Sequence, residues 1–283
     1  PFSMDELTSS RHMTFIERSL VTEAISSIVG NRRSGLHLTR TLGDRFTLAG
    51  AFTGNRVSNS NDFDGEYAST ARGTWSPVHA ADRAIHLGLA AGWRRLDEGL
   101  QVRARPEVHL AGRPVDNDFV PADDVQVIGL DGAWVSGPWS LQGEYVSYHL
   151  DETVPGSGDG AGWFVAGSWF LTGESRRYDF GSGNFGSTKV SRPVGAGGRG
   201  AWELAARFST LDMDDSASIG LGRDGGGEID NLTLGLNWYL NNNMMLRLNY
   251  VRTLDCSGTC EQGLGDPARA EPWALTLRSQ VFF

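Results

Sequence analysis

Arginine is the residue type in this chain that is most clearly suited to a binding site. All 25 basic residues are arginine except Lys189, and they stand against 34 acidic residues. A guanidinium stays protonated at neutral pH, and its planar fork binds oxyanions through two hydrogen bonds. A GC-rich genome would also favour arginine codons, so the bias alone does not establish a site. Arginines that converge on one water-filled space would make that space attractive to anions.

Several arginines fall on the polar positions of stretches in which polar and apolar residues alternate. A few glutamates share this property, and the set is Arg72, Arg94, Arg207, Arg247, Arg278, Glu66, Glu144 and Glu203. If these stretches are strands with one apolar face, all of the charges lie on the opposite face. Mixed charges there would either create a field across a polar interior or pair with one another and fix the shape of the protein. The sequence leaves both roles open.

Other chemistries have weaker support. His37, His86 and His149 are the candidates for a hydrolase base, but none is accompanied by a nucleophile motif, so we do not expect an enzyme. Cys256 and Cys260 lie in a polar loop without a nearby histidine, which favours a local disulfide over a zinc site. We expect no metal and no cofactor. The net charge of -9 argues against a nucleic-acid partner.

Period-two alternation is the main structural signal. None of the alternating stretches has an apolar stripe with helical spacing over three or four turns, so the chain is predicted to be all-β. The predicted strands are Gly35–Leu42, Phe46–Thr53, Glu66–Trp75, Ala84–Arg95, Val125–Val135, Trp139–His149, Gly162–Leu171, Ala201–Leu211, Asn231–Leu240, Met244–Thr253 and Trp273–Phe283.

The order of the connections favours a transmembrane antiparallel β-barrel. The composition is only 40% hydrophobic, and no run of eighteen apolar residues exists, which excludes a membrane-spanning helix. Barrel strands need only about ten residues with one apolar face, although a soluble β-sandwich could have the same composition. Short connections at 43–45, 136–138 and 241–243 alternate with long polar ones, and most tryptophans lie near strand ends. The apolar stripes are therefore predicted to face lipid.

Five segments together resemble the phosphate- and pyrophosphate-selective porins O and P. They are 1–20, 102–113, 168–180, 200–213 and 231–252, in order across nearly the whole chain. The resemblance implies a homotrimer of sixteen-stranded barrels in the bacterial outer membrane, with the third extracellular loop folded inward as a constriction. Residues 1–33 are then the inward-folded loop segment and 34–283 the barrel strands with long extracellular loops. About eleven of sixteen strands are represented, so five are expected before Pro1.

The resemblance also implies a function and a site. We expect a passive diffusion channel for small hydrophilic solutes, with a preference for phosphate or other anions. The expected partners are the lipid bilayer with its lipopolysaccharide, further copies of the chain, and small anionic solutes. The matching positions are Ser9, Ser10 and Arg18 on the inward loop, with Arg103 and Arg105 as steps of an arginine ladder.

The sequence departs from the family pattern just before the serine pair. Asp5 and Glu6 stand where the family's lysine is expected, and carboxylates there would repel a dianion. Arg11 could supply the missing cation. A general or cation-preferring pore, and a non-conducting structural or adhesive barrel, therefore stay open as alternatives.

Overall fold

Eleven long strands and two short helices make up most of the molecule. The computed structural model describes residues 1–29, 33–56, 66–97, 99–117, 120–152, 158–195, 197–213, 226–258 and 272–282. In chain order the elements are α1 (Met4–Leu7), α2 (Leu20–Ile28), β1 (Arg33–Leu42), β2 (Phe46–Arg56), β3 (Tyr67–His79), β4 (Arg83–Arg95), β5 (Arg103–Ala104), β6 (Val115–Asp116), β7 (Ala122–Ser136), β8 (Trp139–Glu152), β9 (Gly160–Phe170), β10 (Tyr178–Asp179), β11 (Asn184–Phe185), β12 (Ala201–Asp212), β13 (Glu228–Asn241), β14 (Met244–Ser257) and β15 (Trp273–Val281).

The long strands form one antiparallel sheet in the order β1-β2-β3-β4-β7-β8-β9-β12-β13-β14-β15. Every predicted alternating stretch is a strand of this sheet, so the prediction of eleven antiparallel strands is confirmed. The two-residue strands form separate pairs, β5 with β6 and β10 with β11. Within the described residues, β1 pairs only with β2 and β15 only with β14. The final predicted residue, Phe283, lies outside the described residues.

The two faces of the sheet differ in exposure as the alternation predicts. In β7, Ile128 and Leu130 are 56% and 51% exposed, whereas Val127 and Asp131 are 3% and 6% exposed. The same pattern recurs along the sheet except in β1, which is exposed on both faces. It leaves many leucine, tryptophan and valine side chains exposed on one face. We call this the outer face, and the opposite one the inner face.

Aromatic side chains form two rows on the outer face. Near the short connections, Trp139 stacks on Trp169 with ring centroids 4.9 Å apart, and near the other strand ends Trp163 packs on Phe208 at 5.3 Å. Trp202 with Trp238, and Tyr67 with Trp93, belong to the same two rows. Trp163 and Trp169 are six positions apart, which is about 20 Å along a strand. A transmembrane barrel has an apolar band of comparable height between aromatic girdles, about 25 Å.

Residues 1–29, the inward segment, lie across the inner face. Ser19 caps α2, and the spacing of Leu20, Ala24 and Ile28 puts apolar side chains on one buried helix face. Phe2 packs so closely on β7 that a Cβ at Gly129 would lie 2.7 Å from its ring. The prediction of an all-β chain overlooked these helices because α2 has only nine residues. Neither helix of the described chain has the length and apolarity that a bilayer crossing requires.

The connection 171–200, between β9 and β12, also folds onto the inner face. Phe185 is buried in an apolar cluster with Met4 of α1 and with Val135 of the sheet. The side-chain amide of Asn184 donates to the carbonyl of Leu7 at 2.9 Å. This connection is the one long segment at the strand ends where short turns are otherwise found. It therefore supports the inward segment from that end.

Candidate functional site

A cavity of about 520 Å³ lies between the inward segment and the connection 96–121, which joins β4 to β7. Five of its fifteen lining residues are arginines. The ionisable and hydroxyl side chains around it are Arg18, Arg103, Arg105, Arg113, Arg278, His109, Glu17, Glu23, Glu107, Ser10, Ser26 and Ser27. Three separate parts of the chain contribute, so the cavity exists only in the folded protein.

Most of the residues predicted from sequence for an anion site meet at this cavity. Ser10 and Arg18 come from the inward segment, and Arg103 and Arg105 come from the connection 96–121. Ser9 is exposed beside Ser10. Arg11 does not line the cavity. Its guanidinium lies instead 4.6 Å from the ring centroid of Phe282.

Sequence reasoning missed Arg113 and His109. Both belong to the same connection as the predicted arginine pair, and a search of that connection for further basic side chains would have found them. Arg113 lies close to other cations: burial, followed by the charges of Arg105 and Arg103, lowers the pKa of Arg113. Such crowding of like charges favours a bound anion, which would relieve it.

Two of the three cavity carboxylates are in ion pairs. Glu23 lies 3.0 Å from the guanidinium of Arg105. Glu107, in a left-handed backbone conformation with φ of 57°, accepts from Arg207 at 2.6 Å. The positive charges of the cavity are thus only partly offset by ion pairing.

Glu17 differs from these two carboxylates. It is half-buried, and burial raises the pKa of Glu17 above the ordinary glutamate value, against the opposing charges of His109 and Arg278. Its charge therefore depends on pH more than that of a solvated glutamate near neutrality.

The two acidic residues that sequence reasoning placed against a phosphate site have other partners. Asp5 is buried: its carboxylate accepts from the Thr22 hydroxyl at 2.7 Å, and its backbone N–H donates to Glu144 at 2.5 Å. Glu6 accepts the backbone N–H of Phe2 at 2.8 Å and closes the capping box of α1. Neither carboxylate lines the cavity, so their expected repulsion of a dianion is weaker than the sequence suggested.

The charged residues predicted from strand parity lie on the inner face, and most of them contact the inward segment. Arg94 donates to the carbonyls of Ser27 and Ile28 at 3.1 and 2.9 Å, and Arg278 donates to that of Ile16 at 2.9 Å. Arg207 and Arg247 make similar contacts with residues 10–18. Glu144 accepts from the same segment, as described for Asp5. The contacts favour the second of the two roles considered from sequence, that of fixing the interior.

The remaining three members of that set contact other partners. Glu66 pairs with Arg33 at 2.6 Å and with Arg94 at 2.8 Å. Arg72 pairs with Asp131 at 2.7 Å and donates to the carbonyl of Gly183 at 3.2 Å. Glu203 accepts from the side chains of Asn237 and Tyr239, both at 2.8 Å. Their part in conduction, like that of the whole set, stays a prediction.

Comparison with known proteins identifies the family. The family model described as phosphate-selective porin O and P matches residues 1–282. The chain belongs to this family. The resemblance predicted from the five sequence segments is thereby confirmed.

Two relatives show how much of a family member is present. The chain is 30% identical over 280 residues to an uncharacterized protein of Caulobacter vibrioides, covering 94% of this chain and 54% of that protein. It is 26% identical over 280 residues to Porin O of Pseudomonas aeruginosa, covering 89% of this chain and 62% of the relative. The chain thus spans between about half and three-fifths of the length of these relatives. The family is described as one of phosphate-selective porins, and one of the two relatives is named as a porin.

One arrangement in this porin-family chain superficially resembles a hydrolase site. Ser76, His86 and Asp131 lie in a row, with 3.5 Å from Ser76 Oγ to His86 Nδ1 and 2.6 Å from His86 Nε2 to Asp131. Ser76 and His86 are 0% exposed, so no solute reaches the hydroxyl. The Tyr178 hydroxyl lies 2.7 Å from Ser76 Oγ and 2.6 Å from His86 Nδ1. The group therefore anchors the connection 171–200 to the sheet.

The predicted disulfide lies at one end of β14. Cys256 is buried there, and the described part of the chain has no free cysteine. Cys260 lies outside the described residues, so the pairing stays a prediction.

Proposed function

We propose that this chain is part of an outer-membrane barrel through which small hydrophilic anions diffuse passively, with phosphate as the preferred anion. The observation that carries the proposal is the cavity lined by five arginines and Ser10. An anion gives up water only where fixed donors replace it, and guanidinium groups and hydroxyls are such donors. No catalytic step is involved.

The barrel is supported by the faces and the edges of the sheet. Its outer face carries exposed apolar side chains between two aromatic rows, which suits contact with lipid. Unpaired backbone groups in hydrocarbon cost several kcal/mol each, so in a membrane the outer edges of β1 and β15 need strand partners. The family resemblance implies sixteen strands in total, three barrels per assembly, and lipopolysaccharide around them. These features belong to the same proposal.

A cation-preferring pore is the second candidate, because Glu17 faces the same cavity without an ion pair among the described residues. A non-conducting barrel is the third, because both the inward segment and the connection 171–200 pack on the inner face. Measurements of the current through single assemblies distinguish these three candidate functions.

The test uses the protein purified at its full natural length and inserted into planar bilayers. We expect current steps, a reversal potential in a KCl gradient with the sign of anion preference, and block of the chloride current by inorganic phosphate. The Arg103→Gln variant is expected to raise the half-blocking phosphate concentration about tenfold, since a hydrogen bond to a charged group contributes about 1.5 kcal/mol. Arg103 suits this test because it is exposed at the cavity.

Arg45→Gln is the matched control, because Arg45 is an exposed arginine in the short turn between β1 and β2. It should leave the phosphate block unchanged. A reversal potential of cationic sign would favour the second candidate, and a complete lack of current the third. Equal block of wild type and Arg103→Gln would show that phosphate does not bind at this cavity.

A further inference from the structure

The backbone carbonyls of the inward segment are bound by side chains. Between Asp5 and Arg18, most of these oxygens accept hydrogen bonds from arginine or asparagine side chains. Arg18 itself donates to the carbonyls of Asp5 and Thr8. The other donors belong to the sheet or to the connection 171–200. A segment outside regular structure would otherwise present these oxygens to water.

Arg247 makes the largest group of such contacts. One of its terminal nitrogens lies 3.1 Å from the carbonyl of Ser10, and the other lies 2.5 Å from that of Met13 and 3.4 Å from that of Arg11. Its side chain also reaches Gln280 at 3.1 Å. At 1% exposure, Arg247 cannot touch a passing solute. Any effect it has on permeation acts through the turn that carries the serine pair.

Asn237 makes an equivalent contact without a charge. Its side-chain nitrogen donates to the carbonyl of Thr14 at 2.8 Å, and its residue is fully buried in β13. Asn231, six positions away in the same strand, is also buried on the inner face. Its amide oxygen accepts from Thr253 at 2.9 Å. Asn231 therefore offers a matched control for Asn237.

Whether the carbonyl oxygens of the inward segment are free or hydrogen-bonded affects which ions it favours, because the oxygen is the negative end of the carbonyl dipole. Free carbonyl oxygens along a pore replace the hydration shell of cations, as they do in potassium channels, and they repel anions. When buried donors occupy those oxygens, the segment presents hydroxyls, N–H groups and guanidiniums to the solute instead.

We propose that Arg247 and Asn237 are positioning residues for anion selection, which turn the carbonyls of the inward segment away from the solute path. The inference rests on the proposed function, because it concerns the same path. According to this proposal, the two buried side chains contribute to anion selectivity without touching the anion.

Two variants test the inference by reversal potential in a KCl gradient, each relative to wild type. Arg247→Lys keeps the charge but loses the two-nitrogen fork that reaches several carbonyls. We expect a severalfold fall in the anion-to-cation permeability ratio. Asn237→Leu changes no charge of its own, although it also removes the hydrogen bond to Glu203, and we expect a smaller fall in the same direction. Asn231→Leu should leave the ratio unchanged.

The outcomes separate this inference from the proposed function. The sign of the wild-type potential reports the proposed function, and the shifts in the variants report the inference whatever that sign is. If Arg247→Lys and Asn237→Leu both keep the wild-type ratio while their assemblies migrate as folded, the inference is overturned. It is likewise overturned if Asn231→Leu shifts the ratio as much as Asn237→Leu, because the effect would then be general to the strand. If Arg247→Lys does not fold, Asn237→Leu decides alone. A wild-type protein without current overturns both proposals.

Discussion

Three carboxylates line the arginine-rich cavity, and in the described part of the chain only Glu17 is not in an ion pair. Burial raises the pKa of Glu17, which has His109 and Arg278 nearby. A carboxyl with a raised pKa is neutral below that pKa and charged above it. As pH falls, Glu17 therefore loses its negative charge earlier than an ordinary glutamate does. The cavity becomes more positive in the same range.

We expect the anion-to-cation permeability ratio to rise as pH falls through the raised pKa of Glu17. The rise should be at least about fivefold, since a unit charge about 4 Å away is worth about 1 kcal/mol in bulk water and more near a protein surface. The Glu17→Gln variant should show the higher ratio at every pH and a weaker pH response. Reversal potentials measured from neutral to acidic pH check this.

Asp44→Asn serves as the control, since Asp44 is an exposed carboxylate in a short turn away from the cavity. A Glu17→Gln channel that keeps the full pH response of wild type would contradict the assignment.

At the scale of elements, the inner face is filled by two segments that the sheet holds through side chains. Arginines of β4, β12, β14 and β15 bind the inward segment. The connection 171–200 is held by the hydroxyl of Tyr178, which lies between Ser76 and His86. These contacts use polar groups that would be costly to leave buried without partners.

Removal of the Tyr178 hydroxyl should loosen the connection 171–200. The Tyr178→Phe variant leaves Ser76 and His86 buried with a missing partner, and we expect a loss of about 1–3 kcal/mol in the free energy of unfolding. Denaturant unfolding in detergent measures this. Tyr145→Phe is the control because Tyr145 is exposed on the outer face, and an equal loss there would contradict the anchoring role.

The loss of folding stability at alkaline pH gives a second measure of how Tyr178 anchors the connection 171–200. Burial raises the pKa of Tyr178 from 10.0 to about 12. Because the folded state holds the proton more tightly, this stabilisation is fully present below pH 10 and is lost as pH rises to about 12. The full loss, reached above that pH, amounts to about 3 kcal/mol. Tyr178→Phe should lack this alkaline dependence, which pH-dependent denaturant unfolding detects.

At the scale of the whole molecule, the outer face of the sheet is apolar and exposed, whereas the charged strand residues are buried on the inner side beside apolar clusters. Leu89 illustrates this: it lies in the middle of β4, paired with Gly73 and Leu130, and it is 57% exposed on the outer face. Such exposure is unfavourable in water and favourable against lipid.

Leu89→Arg is therefore expected to destabilise the protein in a bilayer by about 2–4 kcal/mol, the cost of a cationic side chain near the midplane. Unfolding from lipid vesicles measures it. Leu110→Arg is the matched control, because Leu110 is 95% exposed in the connection 96–121, and it should change stability by less than about 0.5 kcal/mol. Equal effects at both positions would contradict a lipid-facing outer surface.

The strands, their faces and the family could be predicted from sequence because alternation is a local property. A residue such as Leu130 or Asp131 takes its side of the sheet from its position in its own strand. The arginine pair in 102–105 and the serine pair in the inward segment were likewise visible in short segments. Each of these features depends on residues a few positions apart.

The contacts between distant segments were decided only by the tertiary structure. Asp5 appeared to oppose an anion site until Glu144, 139 residues away, was found to hold its backbone. The fold of the connection 171–200 depends in the same way on Ser76 and His86. No periodicity encodes which carbonyl Arg247 will bind, because that depends on how two remote segments pack. Sequence alone determined the alternating sheet, and packing determined the cavity and the groups that face it.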